Sequence, residues 1–377
     1  MITLPSIRLA TALVATLLLV GCATKPADDG TKAKAQPIPA EPVVRAPERV
    51  PAPAGGYSAA FVTGDYAAYP ALDRFIERMV AEHDFPRDYL NGLFSQARRR
   101  EWTIEYMNRE APTTKPKSGA WSRYRSKFLT EQHISRGAAF WRSHADDLRR
   151  VKEKFGVPPE YVMGIMGVET IYGANVGKDR VFDALTTLAF DYPRRAAYFT
   201  DELESFLLMT RAERVDPLRP VGSFAGAMGL GQFMPSSFLK WAVDFDGDGR
   251  KDLWQAADAI GSVANYFVQH GWQTGESVVS PAIAEDGRAS DLESGFDTQY
   301  SLARLADSGV RPAGPFSGRE PVRLLRLSTN DGDEYWLGYQ NFYVITRYNH
   351  STHYAMAVHE LAQAVKDRYL NGFGAPP

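Results

Sequence analysis

Cysteine is nearly absent from this chain of 377 residues; Cys22 is the only one. No internal disulfide can form, so the fold must rest on its core, which a chain of this length can bury. An excess of basic charge is also missing. Against 43 Lys and Arg stand 45 Asp and Glu, a balance that gives no electrostatic footprint for nucleic acid. Long apolar runs are missing after the first twenty residues. The single run, Leu9 to Val20, is short for a bilayer span and follows one basic residue, Arg8, as in a secretory signal peptide. Zinc-protease spacing is lacking too. His350, His353 and His359-Glu360 do not make His-Glu-x-x-His. No internal repeat is visible.

What is present begins with Leu19-Val20-Gly21-Cys22, which resembles the lipobox of bacterial lipoproteins. The resemblance implies cleavage of a signal peptide at 1–21 and a lipid on Cys22. Each buried CH₂ of an acyl chain contributes roughly 0.8 kcal/mol, so several chains anchor stably. Ala23, where an Asp would signal inner-membrane retention, points to the outer membrane and its periplasmic face. Loss of residues 1–21 removes Arg8 and no acid, leaving 42 bases against 45 acids. Residues 22–57 hold Lys25-Pro26, Gln36-Pro37-Ile38-Pro39, Glu41-Pro42 and Pro51-Ala52-Pro53 with few large apolar side chains. Such a stretch reads as an extended tether.

Helical spacing starts near residue 69 with Leu72, Phe75, Ile76, Met79 and Val80, and Pro70 stands near the start. Further helices are expected at 90–100, 131–155, 200–212, 235–243, 256–270 and 353–369. Pro158-Pro159 opens another, running through Val162, Ile165 and Met166 to Glu169, with Gly173 as its stop. Between about 277 and 347 the helical period is lost. Val322 to Leu327, Tyr335-Trp336-Leu337 and Phe342 to Ile345 read there as strands, two of them separated by Asn330-Asp331-Gly332-Asp333. The chain is therefore expected to be mainly α with a small β-rich insertion.

Two segments carry chemistry. Met166-Gly167-Val168-Glu169-Thr170-Ile171-Tyr172-Gly173 puts one acid at the end of an apolar helix, where desolvation favours the protonated form that an acid catalyst of glycoside cleavage needs. On periodicity alone, a solvent-facing Glu on a surface helix is the stronger reading. The second segment, Ser223 to Ser236, packs three glycines and Pro235 into a short span, as in backbone held close to a ligand or an ordinary glycine-rich loop. Together they resemble the lytic transglycosylases, specifically the MltB-type family with its lysozyme-like core. Glu169-Thr170, Ile171 to Gly177, Gly229-Leu230-Gly231-Gln232-Phe233-Met234-Pro235-Ser236 and Asp258 to Phe267 carry the likeness, which spans about residues 58–370. It reverses the odds on Glu169.

The resemblance implies a lysozyme-like α+β core with an additional helical domain: helical domain 58–155, catalytic core 156–276, β-rich domain 277–347, and a C-terminal helix within 348–377. It implies cleavage of the bond between N-acetylmuramic acid and N-acetylglucosamine, with closure of the muramic 6-hydroxyl onto C1 to give a 1,6-anhydro end. Glu169 serves as both acid and base, with no catalytic cofactor. Substrate contacts carry over to Ser223, Gln232, Tyr124, Arg194, Arg195, Tyr198, Tyr266, Tyr348, Asn349 and Tyr354. The implied partner is the peptidoglycan glycan strand, alongside proteins of wall synthesis or division, and a monomer is the default. A hydrolytic, goose-lysozyme-like muramidase and a noncatalytic peptidoglycan-binding lipoprotein are the alternatives.

Asp244-Phe245-Asp246-Gly247-Asp248-Gly249-Arg250 has the oxygen spacing and glycine of an EF-hand-like calcium loop. Position 12 is Gln255 rather than Glu. In the resembled family the loop is longer, which implies structural Ca²⁺ on Asp244, Asp246, Asp248, the Arg250 carbonyl and Asp258. An acidic solvated turn is the other reading. The lipobox yields the first test: Cys22→Ser is expected to abolish fatty-acid labelling and move the protein from the membrane to the soluble fraction on cell fractionation.

Overall fold

The computed structural model describes residues 51–109, 118–285, 287–316 and 318–372. The expected signal peptide, Cys22 and residues 22–50 of the tether lie outside the described residues. The last residues of the expected tether touch the folded body. The Tyr89 hydroxyl donates to the Ala54 carbonyl at 2.8 Å, and the Tyr57 hydroxyl donates to Asp216 at 2.7 Å.

The fold is mainly α. Fourteen α-helices and two small antiparallel sheets occur among the described residues. Most helices share one large core, in which Phe182, Phe199, Phe206, Phe267 and Phe342 are fully buried. The helix Pro159–Thr170 runs through this core. It begins where expected, with Pro159 at its first turn and Pro158 extended before it. Residues from Tyr161 to Gly167 are buried without a break, as in a helix with no solvent face. The helix Thr352–Leu370 lies along it. Ser351 opens that second helix, its hydroxyl accepting the Tyr354 N–H at 3.2 Å.

Close approach of these two helices depends on glycine. A Cβ at Gly164 would meet the Val358 carbonyl oxygen at 2.5 Å and Ala362 Cβ at 3.2 Å. Backbone cannot yield as a flexible side chain can.

The β-rich stretch forms a four-stranded sheet in the order Val310–Pro312, Val279–Ala284, Gly332–Gly338, Arg323–Thr329, every pair antiparallel. It has its own small core around Leu305, Val322, Leu324, Leu337 and Tyr339. Phe342 to Ile345, expected as a strand, instead belong to the helix Gln340–Tyr348. Phe342 and Ile345 lie one helical turn apart and enter the large core. Asn341 fixes the start of the helix, donating to the Gln273 and Glu276 carbonyls and accepting the Gln273 N–H. Tertiary packing outweighs the local strand preference of the Tyr-Val-Ile run. The helices expected across 131–155 are Glu131–Ser143 and Ala145–Phe155, which meet at His144.

Gly164→Ala is expected to lower the stability of the folded body by about 1–3 kcal/mol, as overpacking does, read as a lower denaturant midpoint with unchanged slope.

Candidate active site

Glu169 stands one residue before the end of the Pro159–Thr170 helix. The chain turns there through consecutive left-handed residues, Ile171 at φ 52° and Tyr172 at φ 55°, before Gly173 at φ 84°. A β-branched residue in that region is strained and is held only by its surroundings. Those surroundings are specific. Thr170 Oγ1 donates to the Leu230 carbonyl at 2.8 Å and accepts the Gly173 N–H at 3.1 Å. The end of the helix is thereby tied to the glycine-rich segment 223–236.

A short antiparallel pairing, Asp179 with Gly222 and Arg180 with Val221, draws the two lips together. Gly177 is required at this contact, because a Cβ there would collide with the Gly222 carbonyl. The result is a cleft of about 580 Å³ lined by Glu169, Asn175, Lys178, Asp179, Ser223, Phe224 and Gln232, among others. The cleft thus brings together Glu169, Ser223 and Gln232. Ser223 Oγ accepts the Ala227 N–H at 3.0 Å, and Gln232, itself at φ 51°, donates to the Val176 and Gly229 carbonyls.

The electrostatics around Glu169 follow from burial. Its carboxyl is pushed from the ordinary 4.5 up to about 7, chiefly by desolvation. The Tyr354 hydroxyl, donating to Oε1 at 2.5 Å, pulls in the opposite direction and is the smaller effect. Burial and then the Glu169 charge raise the Tyr354 and Tyr124 hydroxyls, keeping both neutral donors. Tyr124 packs beside Trp121 and His353.

Other expected contacts are engaged elsewhere. The Tyr348 hydroxyl donates to the Gly231 carbonyl at 2.5 Å and the Tyr266 hydroxyl to the Arg347 carbonyl at 2.6 Å, and the two rings pack together. Tyr348 thereby holds the backbone beside the cleft residue Gln232, and Tyr266 packs against the Tyr348 ring. Asn349 is exposed just past the helix Gln340–Tyr348. Arg194, Arg195 and Tyr198 sit where Pro193–Arg195 joins the helix Ala196–Ala212, outside the lining at Glu169. There the Arg195 guanidinium lies 4.3 Å over the Tyr198 ring. Folding also delivers residues that motif reading passed over. Phe224 and Asn175 were within the motifs but carried no charge to mark them. Asp179 is a second carboxylate in the cleft, held by Arg100 at 2.6 Å.

In the acidic loop, carboxylate oxygens of Asp244, Asp246 and Asp258 lie within 4.8 Å of one another, the only such grouping among the described residues. Asp258 is buried, and its Oδ1 accepts the Phe245 N–H at 2.7 Å and its Oδ2 the Asp252 N–H at 2.8 Å. Asp248 stands outside the grouping and accepts the Arg250 N–H at 2.9 Å. Three convergent carboxylates suit a hard cation. His350, His353 and His359 form no comparable group among the described residues.

The chain matches the transglycosylase SLT domain family over residues 67–363. It is 52% identical over 307 residues to the membrane-bound lytic murein transglycosylase B of Escherichia coli (strain K12), covering 80% of this chain and 84% of that protein. It is similar to the solved Escherichia coli lytic transglycosylase SLT35 in complex with bulgecin A, with a TM-score of 0.78 and 50% identity over 82% of this chain and 97% of that one. The same enzyme has been solved in complex with calcium. Pseudomonas aeruginosa SltB3 in complex with NAG-anhNAM-pentapeptide is similar with a TM-score of 0.70 and 29% identity, over 78% of each chain.

A carboxyl whose folded pKa is raised contributes stability at pH below its unfolded value, and that contribution is lost as pH rises through about 7. Glu169→Gln is therefore expected to melt higher than the parent on the alkaline side of that value, with the gap closing toward pH 5 in thermal scans.

Proposed function

Because this chain belongs to the transglycosylase SLT domain family, we propose that it is a peptidoglycan lytic transglycosylase in which Glu169 is the single acid/base. The observation that carries the assignment is the carboxyl itself: at the cleft, desolvated, raised to about 7, with a neutral tyrosine as its hydrogen-bond donor. Near neutral pH such a group exists in both forms and can give a proton and take one back.

The steps balance without water. Protonated Glu169 donates to the glycosidic oxygen, and the bond from muramic C1 to that oxygen breaks, releasing the N-acetylglucosamine side with a 4-hydroxyl. The muramic 2-acetamido oxygen closes onto C1 and holds the cation. Glu169, now a carboxylate, removes the proton of the muramic 6-hydroxyl as its oxygen displaces the acetamido group at C1. A 1,6-anhydro ring results and Glu169 is protonated again. The relative that holds NAG-anhNAM-pentapeptide carries the anhydro sugar that this closure makes.

Ser223 and Gln232 are the polar groups placed beside Glu169 to orient the sugars. Ser223 accepts from Ala227 and keeps its own O–H for a ligand. Arg194, Arg195, Tyr198 and Asn349 belong to a more distant part of the substrate path, where guanidinium forks suit the carboxylates of stem peptides. Hydrolysis of the usual kind requires a second carboxylate. Asp179 is the candidate the cleft offers, and its ion pair with Arg100 commits it to holding the lip.

The enzyme is further read as a lipoprotein anchored through Cys22 at the periplasmic face of the outer membrane. Its relative in Escherichia coli is membrane-bound, and among the described residues no helix is long and apolar enough to cross a bilayer. Calcium is assigned a structural role on Asp244, Asp246 and Asp258, with Asp248 and the Arg250 carbonyl in the same loop. The convergence of three carboxylates and the calcium complex of SLT35 support it.

Mass spectrometry of digested peptidoglycan tests the reaction. Muropeptides one water lighter than hydrolysis products are expected from the parent and none from Glu169→Gln; reducing ends would mean that water attacks instead. Calcium at a hundred times its Kd is expected to stabilise the fold by about 2.7 kcal/mol, raising the melting temperature, with a chelator reversing the shift. A melting temperature indifferent to both would remove the metal.

A further inference from the structure

The helix Glu101–Arg109 carries an aromatic face that the reaction above does not use. Trp102 is 52% exposed. Its ring stacks on Tyr106, one helical turn later, with centroids 5.1 Å apart and planes at 27°. Both rings meet the ring of Phe224 edge to face, at 5.7 Å and 4.6 Å. Phe224 also lines the cleft that holds Glu169, so the three rings continue the wall of that cleft outward.

The strip is firmly based. Just before the helix, the Arg100 N–H donates to Thr187 Oγ1 at 3.0 Å, and the Arg100 guanidinium pairs with the cleft residue Asp179. Core packing accounts for Thr103, the buried residue of this helix, but not for an indole left half in water. Contiguous exposed apolar surface marks an interaction site. A pyranose suits this one, since it offers a face of C–H bonds to an aromatic ring while its hydroxyls stay wet at the rim, and neither needs a charge.

We propose that Trp102, Tyr106 and Phe224 form a stacking platform that holds the glycan strand beyond the sugars at Glu169, making the enzyme favour long strands over short ones. The occupant is the neutral sugar backbone, because the platform is continuous with the glycan cleft and its contact surface is made of rings. The proposal rests on the glycan-cleaving reading of that cleft.

The test uses the full chain carrying Glu169→Gln, so that strands persist, and isothermal titration with peptide-free glycan strands of two lengths. One just fills the cleft and the other extends several disaccharides beyond it. The longer strand is expected to bind roughly tenfold more tightly, about 1.4 kcal/mol. Trp102→Ala should remove most of that gain, and Trp102→Phe should restore part of it. Unchanged thermal melting checks that these exposed substitutions leave the fold intact. A length preference that survives Trp102→Ala, or an equal weakening of short and long strands, would overturn the platform. Cleavage of strands by the Glu169→Gln chain would refute the acid/base assignment separately; the platform is then read from the KM for long against short strands.

Discussion

The helix Thr352–Leu370 lies on the glycine side of the helix Pro159–Thr170, and the cleft takes its register from that contact. Gly164 gives the two backbones room to approach, and Gly167 leaves space for the side chains of Leu361 and Tyr172. With the axes this close, the Tyr354 hydroxyl reaches Glu169 Oε1 across 185 residues of sequence. A larger residue at Gly164 would push the helices apart and move the donor away from the acid. The same close contact excludes water from one side of Glu169, so packing and acidity have one origin.

From that fixed point the rest of the cleft is tied on by hydrogen bonds to backbone. Thr170 grips the Leu230 carbonyl, Tyr348 the Gly231 carbonyl, and Gln232 the Val176 and Gly229 carbonyls. These bonds hold Ile171, Tyr172 and Gln232 in left-handed conformations that their side chains would not choose. The strain is confined to the edge of the cleft, where the backbone must turn sharply to leave space for a ligand. Burial raises the Glu169 carboxyl, while the second carboxylate of the cleft, Asp179, is engaged by Arg100. That asymmetry suits a reaction in which one group does both proton transfers and the substrate supplies the nucleophile.

The outlying parts fit an enzyme working on a polymer. The acidic loop precedes the helix Ala256–Gln269, whose Tyr266 packs on Tyr348 behind the cleft. Loss of order in the loop would therefore reach the cleft through one helix. The sheet keeps a small core of its own, and its hairpin touches the body at the helix Ala120–Arg125, where the Asn330 N–H donates to the Ser122 hydroxyl. Tyr124, which senses the Glu169 charge, is on that same helix.

Much of this was legible in the chain because it is written in near neighbours. Pro158-Pro159 opens a helix by its own stereochemistry, an acid at the end of an apolar run is visible as such, and Asp-x-Asp-x-Asp-Gly states its oxygen spacing. The mainly α fold follows from repeated helical spacing, and the family from motifs of adjacent residues. What the chain could not state is which face meets which. Phe342 to Ile345 have the composition of a strand and become helix because the large core accepts Phe342 and Ile345 on one side. Asp179 becomes a cleft residue only when Gly177 lets its lip close on Gly222. Tyr266 and Tyr348, expected at the sugar, turn their hydroxyls to the backbone instead. Local propensity and spacing act over a few residues and can be read in order; contacts between distant segments are decided by packing, which sequence order does not display.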